Sequence, residues 1–168
     1  MKAIRLLASL ALIAFASSGI AQTCSTPGGL TSSANINGNS CASPTGTGDT
    51  TLGNVCDNQL NTGPVAIYSW SYGGSGTPSG NITVTPTGWD VALFVGDGAS
   101  CSTAAGGFCD ASVDTAGNGA ESISLSGLTK TTTYYLFITS LTTAGSTCGA
   151  YNLTTGTLPV RLQSFDIE

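Results

Sequence analysis

Apolar residues recur at every second position in several short segments of the chain. In residues 65–72, VAIYSWSY, the side chains of Ala66, Tyr68 and Trp70 alternate with those of Val65 and Ile67. Such alternation is typical of a β-strand whose two faces meet different surroundings. The segments 81–87, 121–128, 131–141, 150–156 and 158–165 also predict strands, and 89–95, WDVALFV, is apolar almost throughout, as expected of a central strand.

The composition between these segments disfavours helices. Glycine, serine, threonine and asparagine are abundant, and only 8% of the residues are charged. Glycine costs backbone entropy in a helix, and serine, threonine and asparagine compete for its backbone hydrogen bonds. We therefore predict an all-β chain: an antiparallel β-sandwich, jelly-roll or immunoglobulin-like, of about 7–9 strands stapled by disulfides. Residues 41–168 are expected to form this domain, with 22–40 as a loose leader.

The N-terminus has the pattern of a secretory signal peptide over residues 1–21. Lys2 and Arg5 precede an apolar run over 6–16, and small residues at Gly19 and Ala21 favour cleavage before Gln22. The run is too short to span a membrane. We therefore expect a secreted product, extracellular or at the cell surface, with no membrane insertion of the mature chain.

The net charge expected after signal-peptide cleavage limits the kinds of molecule that the mature chain could bind. Cleavage would leave two basic residues, Lys130 and Arg161, against nine acidic ones. Binding to nucleic acid depends on basic side chains that neutralise phosphates, so nucleic acid is not expected as a partner.

Six cysteines follow the predicted signal peptide: Cys24, Cys41, Cys56, Cys101, Cys109 and Cys148. An even count in an exported chain favours three disulfides. The chain has no histidine and no C-x-x-C pair, so the spacing does not fit zinc. Proximity predicts Cys101–Cys109 first and Cys41–Cys56 second, which leaves Cys24–Cys148.

The stretch from 94 to 114, FVGDGASCSTAAGGFCDASVD, could be a phosphate cradle, a metal loop or a stapled turn. It lacks the lysine and helical periodicity of a P-loop. Calcium needs six to eight oxygen ligands, and the weak candidates do not form a D-x-D-x-D-G loop. These candidates are Asp90, Asp97, Asp110 and Asp114, with Glu121 nearby. The stapled turn is favoured, with Asp110 and Asp114 at the solvated surface.

Asp90 lies within the predicted strand 89–95 and is expected to be structural. A buried carboxylate there would need hydrogen-bond donors such as backbone N–H groups.

The sequence contains few of the residue patterns on which enzymatic catalysis depends. The absence of histidine excludes a Ser/His/Asp triad, and no spacing favours a carboxylate pair of the glycosidase type.

Five aromatic residues could stack on sugars, although core packing is the commoner role of aromatic residues in strands. They are Trp70, Tyr72, Trp89, Tyr134 and Tyr135.

The C-terminal segment LPVRLQSFDIE has strand alternation at Leu158, Val160 and Leu162, then a changed phase at Phe165 and Ile167. Pro159 cannot donate a ladder hydrogen bond, which favours a sheet edge. This strand would either close its own sandwich or pair with a neighbouring subunit.

From about Gly63 to Gly156 the chain resembles the bacterial pre-peptidase C-terminal domain family. The matching elements, in order, are AIYSWSY, TPTGWDVALFV, the cysteine-bearing loop, NGAESISLSGL and TTTYYLFITS. The resemblance implies a small secreted β-sandwich of the kind appended to secreted peptidases and other exported enzymes. No segment of this chain resembles a peptidase.

These observations predict a secreted, non-enzymatic protein that acts structurally, with self-assembly into a filament or matrix as one form of that role. A carbohydrate-binding module for cell-surface glycans is the first alternative. An accessory protein or inhibitor of a secreted enzyme is the second. No cofactor is expected beyond the weak calcium candidates.

Overall fold

The computed structural model describes residues 24–43, 64–73, 76–99, 101, 109–140 and 147–158. The signal peptide predicted for residues 1–21 and the predicted strand beyond Leu158 lie outside these ranges. The described strands are β1 (Gly28–Gly29), β2 (Asn35–Asn39), β3 (Ala66–Ser71), β4 (Ser79–Pro86), β5 (Ala92–Asp97), β6 (Cys109–Val113), β7 (Glu121–Ser124), β8 (Thr133–Thr139) and β9 (Ala150–Thr157).

The strands form two sheets, which confirms the predicted all-β sandwich. One sheet has five strands in the order β1-β3-β8-β5-β6, and the other has four in the order β2-β9-β4-β7. Every pairing is antiparallel except the short parallel one between β1 and β3. Many neighbouring strands are distant in sequence, so the sheets depend on long-range contacts.

The predicted alternation sets which side chains fill the space between the sheets. In β3, Ala66, Tyr68 and Trp70 contribute to the main core, and the rings of Trp70 and Tyr134 stack with centroids 5.3 Å apart. Ile82 and Val84 of β4 are fully buried in the same core. Burial of each large apolar side chain stabilises the fold by about 1.5–3 kcal/mol, so this core is its main source of stability.

A second apolar cluster lies on the opposite face of the five-stranded sheet. Val65 and Ile67 pack there with Phe94, Phe137 and Cys101, and Cys24 is partly buried against them. Strand β5 therefore has buried side chains on both faces, as its continuous apolar sequence predicts.

The described part of the predicted leader, residues 24–40, is not loose. Within it, β1 pairs with β3 and β2 pairs with β9, so it contributes one strand to each sheet. The sequence offered little sign of this because glycine and asparagine, which fill β1 and β2, are depleted in strands.

The predicted disulfide pairing was wrong. Cys24 bonds to Cys101 and Cys41 bonds to Cys148, with Cα–Cα distances of 5.1 and 5.0 Å. Cys109 is also disulfide-bonded, to a residue other than Cys101, and Cys56 lies outside the described residues. Cross-strand geometry explains the second bridge, because Ser40 N–H donates to the Gly149 carbonyl and so brings together position 41, which follows Ser40, and position 148, which precedes Gly149.

Both bridges close long loops, of 77 and 107 residues. On the chain-entropy account, a bridge over a loop of this length stabilises the folded state by about 4–5 kcal/mol. Each also fixes a part of the N-terminal segment to one of the two sheets.

Candidate functional site

Lys130 joins two aspartates from neighbouring strands. Its Nζ lies 2.9 Å from Asp97 Oδ1 and 2.5 Å from Asp110 Oδ1. Asp97 ends β5 and Asp110 is the second residue of β6, and these strands pair with Gly96 opposite Cys109. Strand pairing therefore brings together two carboxylates that are thirteen positions apart, and Lys130 reaches both from the loop that precedes β8.

The two carboxylates differ in burial, and their pKa values are shifted in opposite directions. The side chain of Asp110 is only 10% exposed, and this burial raises its pKa above the usual range despite the nearby ammonium. The hydrogen bond from Lys130 lowers the pKa of Asp97, which is more open to solvent. Bonds to both carboxylates raise the pKa of Lys130, so its ammonium stays charged throughout the physiological range.

The expectation that Asp110 lies at the solvated surface was wrong, because its side chain is only 10% exposed. Its Oδ2 atom is buried and has no hydrogen-bond partner among the described residues. Asp114 is exposed, as expected. Lys130 is one of only four basic residues in the chain, but its position in the sequence does not pair it with these aspartates.

The four calcium candidates do not converge. Asp97 and Asp110 meet at a lysine, whose ammonium already neutralises charge there, and Asp90 contacts Gly117 instead. Over the described ranges, no three cysteine, aspartate or glutamate side chains come together in a geometry that would hold a metal ion.

Asp90 lies in the turn before β5, not within the strand, and it is half-buried. Its Oδ1 accepts a hydrogen bond of 3.2 Å from Gly117 N–H, a backbone donor of the kind expected. Glu121 is more deeply buried, and its carboxylate accepts bonds from the backbone N–H and the hydroxyl of Thr115.

The aromatic residues do not form a sugar-stacking platform. Trp70, Trp89, Tyr134 and Tyr135 are buried, and Trp89 Nε1–H donates to the Ala150 carbonyl at 2.9 Å. Tyr72 is half-buried and is the exception. The core interpretation of the other four is confirmed.

A cleft of about 480 Å³ opens at one end of the five-stranded sheet. It forms where β3 and β5, the two neighbours of β8, end beside the residues that lead into β8. Its lining is Ser71, Tyr72, Gly73, Gly98, Ala99, Thr131, Thr132 and Thr133. Sequence reasoning missed it because these residues come from three separate segments that only the sheet brings together.

Among the strands that the structure describes there are four sheet edges, and three of them carry features that hinder pairing with another chain. β1 has only two residues, β6 has a bulge and the Asp110–Lys130 ion pair, and β7 has the inward-pointing carboxyl group of Glu121. Very short strands, bulges and inward-pointing charges are all devices that block edge-to-edge association.

The fourth edge, β2, has none of these features. Its sequence, NINGN, contains no charged residue and no proline, and it pairs with β9 in unbroken register. Asn152 Nδ2 donates to Asn35 Oδ1 at 2.7 Å and to Asn37 Oδ1 at 2.9 Å, so the outer surface carries a row of linked amides. Among the described strands, β2 has a neighbour on one side only.

Backbone alternation shows which groups face the open side of β2. Thr155 N–H donates to the Ala34 carbonyl, and Ser40 N–H donates to the Gly149 carbonyl. Even-numbered residues thus direct their backbone groups towards β9, and those of Asn35, Asn37 and Asn39 point to the open side. This edge offers donors and acceptors to an added strand.

Leu158, the first residue of the tail segment, is buried in its own domain. Its N–H donates to Ser32 Oγ at 2.9 Å, and the same hydroxyl donates to the Leu158 carbonyl at 2.5 Å, so both backbone groups of Leu158 are bonded within the domain. The other predicted members of the assembly strand, Val160, Leu162, Phe165 and Ile167, lie outside the described residues.

Comparison with known proteins gives no assignment. No protein-family model matches the chain, and no curated protein matches it. Within the described ranges, no helix is both long enough and apolar enough to cross a membrane.

Proposed function

We propose that the protein is a secreted, non-enzymatic structural subunit that assembles at the cell surface or in the extracellular matrix by strand addition. In this proposal the tail of one copy, residues 159–168, pairs along β2 of the next. The observation that carries it is that β2 lacks the protection present at the other three described edges.

The tail fits β2 in length and pattern. Ten residues extend over about 33 Å, whereas a strand of five residues needs about 17 Å. Val160 and Leu162 alternate with polar residues, and β2 directs Ile36 and Gly38 towards the core side of its sheet. Ile36 is only half-buried, so an added strand with apolar side chains on that face would cover it.

Strand direction favours a tail from another copy. The described chain ends at Leu158, which contacts Ser32, three residues before β2 begins. A tail that ran along β2 from that end would be parallel to it, and it would first have to cross the segment that leads into β2. A tail from a neighbour can approach antiparallel, the more stable pairing.

Such a contact joins different surfaces of two copies. Each subunit offers one tail and one open edge, so the interaction is heterologous and leads to a ring or an open filament. Main-chain hydrogen bonds would supply affinity, and alternate side chains would supply specificity.

The non-enzymatic and secreted parts of the proposal have separate support. The partners of four of the five described carboxylates are structural: Asp90 bonds to Gly117, Glu121 to Thr115, and Asp97 and Asp110 to Lys130. Two long-range disulfides fit an oxidising compartment, and the predicted signal peptide fits export.

The experiment compares the mature protein, beginning at Gln22 and produced in an oxidising compartment, with a version that ends at Leu158. We expect concentration-dependent oligomers or filaments from the mature protein, by sedimentation velocity and negative-stain microscopy, and a folded monomer from the truncated one. A full-length Val160→Asp/Leu162→Asp variant is the matched control, because it keeps the chain length and should also remain monomeric.

Two outcomes would overturn the proposal. One is a mature protein that stays monomeric at every concentration tested. The other is a truncated protein that assembles as well as the full chain does.

A further inference from the structure

We propose that the cleft at the end of the five-stranded sheet is a binding site for an uncharged sugar unit of a polysaccharide. This inference is independent of strand addition, because the cleft lies on the other sheet and includes no residue of β2 or of the tail.

The cleft is built by a rigid frame. Tyr72 N–H donates to the Thr132 carbonyl at 2.9 Å, and Gly98 N–H donates to the Thr133 carbonyl at 3.2 Å. These bonds tie the ends of β3 and β5 to the residues that enter β8. The walls are thus fixed by backbone hydrogen bonds before any ligand arrives, which lowers the entropic cost of binding.

The lining has the chemistry that a sugar requires. Ser71, Thr131, Thr132 and Thr133 contribute four hydroxyls to the lining. Ser71 Oγ and Thr133 Oγ1 hydrogen-bond to each other at 3.0 Å, which orients this pair and leaves one of its two O–H groups and both oxygens for the hydroxyls of a ligand. Gly73 and Gly98 have no side chains, so a ligand can approach their backbone closely. The volume lies within the range of about 300–1,000 Å³ that is usual for small-molecule sites.

Tyr72 supplies an apolar ring among these hydroxyls. It is half-buried, and its hydroxyl donates to the Gly76 carbonyl at 2.9 Å, which fixes the position of the ring. A ring with one anchored polar end and an apolar body suits a ligand with both polar and apolar surfaces. The C–H face of a pyranose is such a surface.

Charge selects against ionic ligands. The lining contains no acidic or basic side chain, and the chain as a whole is acidic. Lys130 adjoins Thr131 in sequence, but Asp97 and Asp110 hold its ammonium. A phosphate or sulfate group would therefore meet no available cation, whereas a neutral sugar needs none.

The test titrates the mature protein with neutral hexasaccharides of β-1,4-glucose, β-1,4-N-acetylglucosamine and α-1,4-glucose, and with a sulfated oligosaccharide, by calorimetry and by NMR. We expect saturable binding of at least one neutral hexasaccharide. Ala99→Trp, at an exposed lining position, should fill the cleft and weaken this binding at least tenfold with the melting temperature unchanged. Thr85→Ala, exposed on the other sheet, should bind like the wild type.

Tyr72→Ala should weaken binding by a similar factor, and Tyr72→Phe by less, because it keeps the ring. The proposal is overturned if no neutral hexasaccharide binds, if only the sulfated one binds, or if binding survives Ala99→Trp in a folded protein. If Ala99→Trp does not fold, Tyr72→Ala and the NMR shifts of the wild type decide, since a ligand elsewhere would leave the Thr131–Thr133 amides unperturbed.

Discussion

The hydroxyls of Tyr68 and Tyr151 lie 2.9 Å apart in the core and hydrogen-bond to each other across the two sheets. Tyr68 belongs to β3 of the five-stranded sheet and Tyr151 to β9 of the four-stranded one. Both side chains are almost fully buried. Burial raises the pKa of Tyr151 far above its usual value, so this hydroxyl stays protonated.

Removal of one hydroxyl should leave the other without a partner in the core. We predict that Tyr68→Phe lowers the free energy of unfolding by about 1–3 kcal/mol, because a buried polar group then loses its hydrogen bond. The double variant Tyr68→Phe/Tyr151→Phe should lose less than the sum of the two single changes. Urea unfolding of all four proteins measures the coupling, and strict additivity would contradict it.

Gly38 of β2 is required by the ring of Tyr151. A Cβ atom at this position would lie within 2.7 Å of three atoms of that side chain. We predict that Gly38→Ala displaces the ring and lowers the unfolding free energy by about 1–3 kcal/mol. Gly29→Ala is the matched control, because a Cβ there meets nothing within 4 Å. Equal melting temperatures for the two variants would contradict this role of Gly38.

The disulfide pattern can be checked directly. Peptide mapping of the non-reduced protein should recover Cys24 linked to Cys101 and Cys41 linked to Cys148. A fragment with Cys101 linked to Cys109 would show that this part of the structure is wrong.

The strand pattern was largely predictable from the sequence, but the disulfides were not. Alternation located β3, β4, β7, β8 and β9 because each directs alternate side chains into the core between the sheets. Pairing of cysteines depends instead on which strands become neighbours. Cys101 and Cys109 are close in the chain, yet Cys101 packs with Cys24 on the outer face of the five-stranded sheet.

The same reason limited prediction of the candidate sites. The cluster of Asp97, Asp110 and Lys130 needs β5 paired with β6, and the cleft needs three segments aligned by β8. The sequence did not predict β2 because four of its five residues are asparagine or glycine, which are depleted in strands. Its backbone forms a strand because β9 offers a full row of partners.

The ionic cluster should make stability depend on pH through Lys130. The pKa of Asp97 is lowered in the folded state, so its ionised form contributes stability above pH ~4 that is lost on acidification. The pKa of Asp110 is raised, so its contribution has the opposite sign and is lost as the pH rises. In Lys130→Met the two carboxylates lose the ammonium that neutralises them.

We therefore predict that Lys130→Met is destabilised by about 1 kcal/mol near pH 7, a small value because the lysine side chain is 53% exposed. The deficit should shrink towards pH 4, as the repelling pair takes up a proton. Thermal melts across this range measure it, with Lys130→Arg as the control that keeps the charge. A deficit that is constant with pH would argue against the electrostatic explanation.

The most direct test of assembly through β2 compares two substitutions at Asn37. Asn37→Pro removes a backbone N–H that points to the open side, whereas Asn37→Ala keeps it, and both lose the same side-chain bond to Asn152. With both variants shown to be folded by circular dichroism, sedimentation velocity should find oligomers for Asn37→Ala and the mature wild type and monomers for Asn37→Pro. Oligomers of the same size in folded Asn37→Pro would contradict assembly by strand addition at this edge.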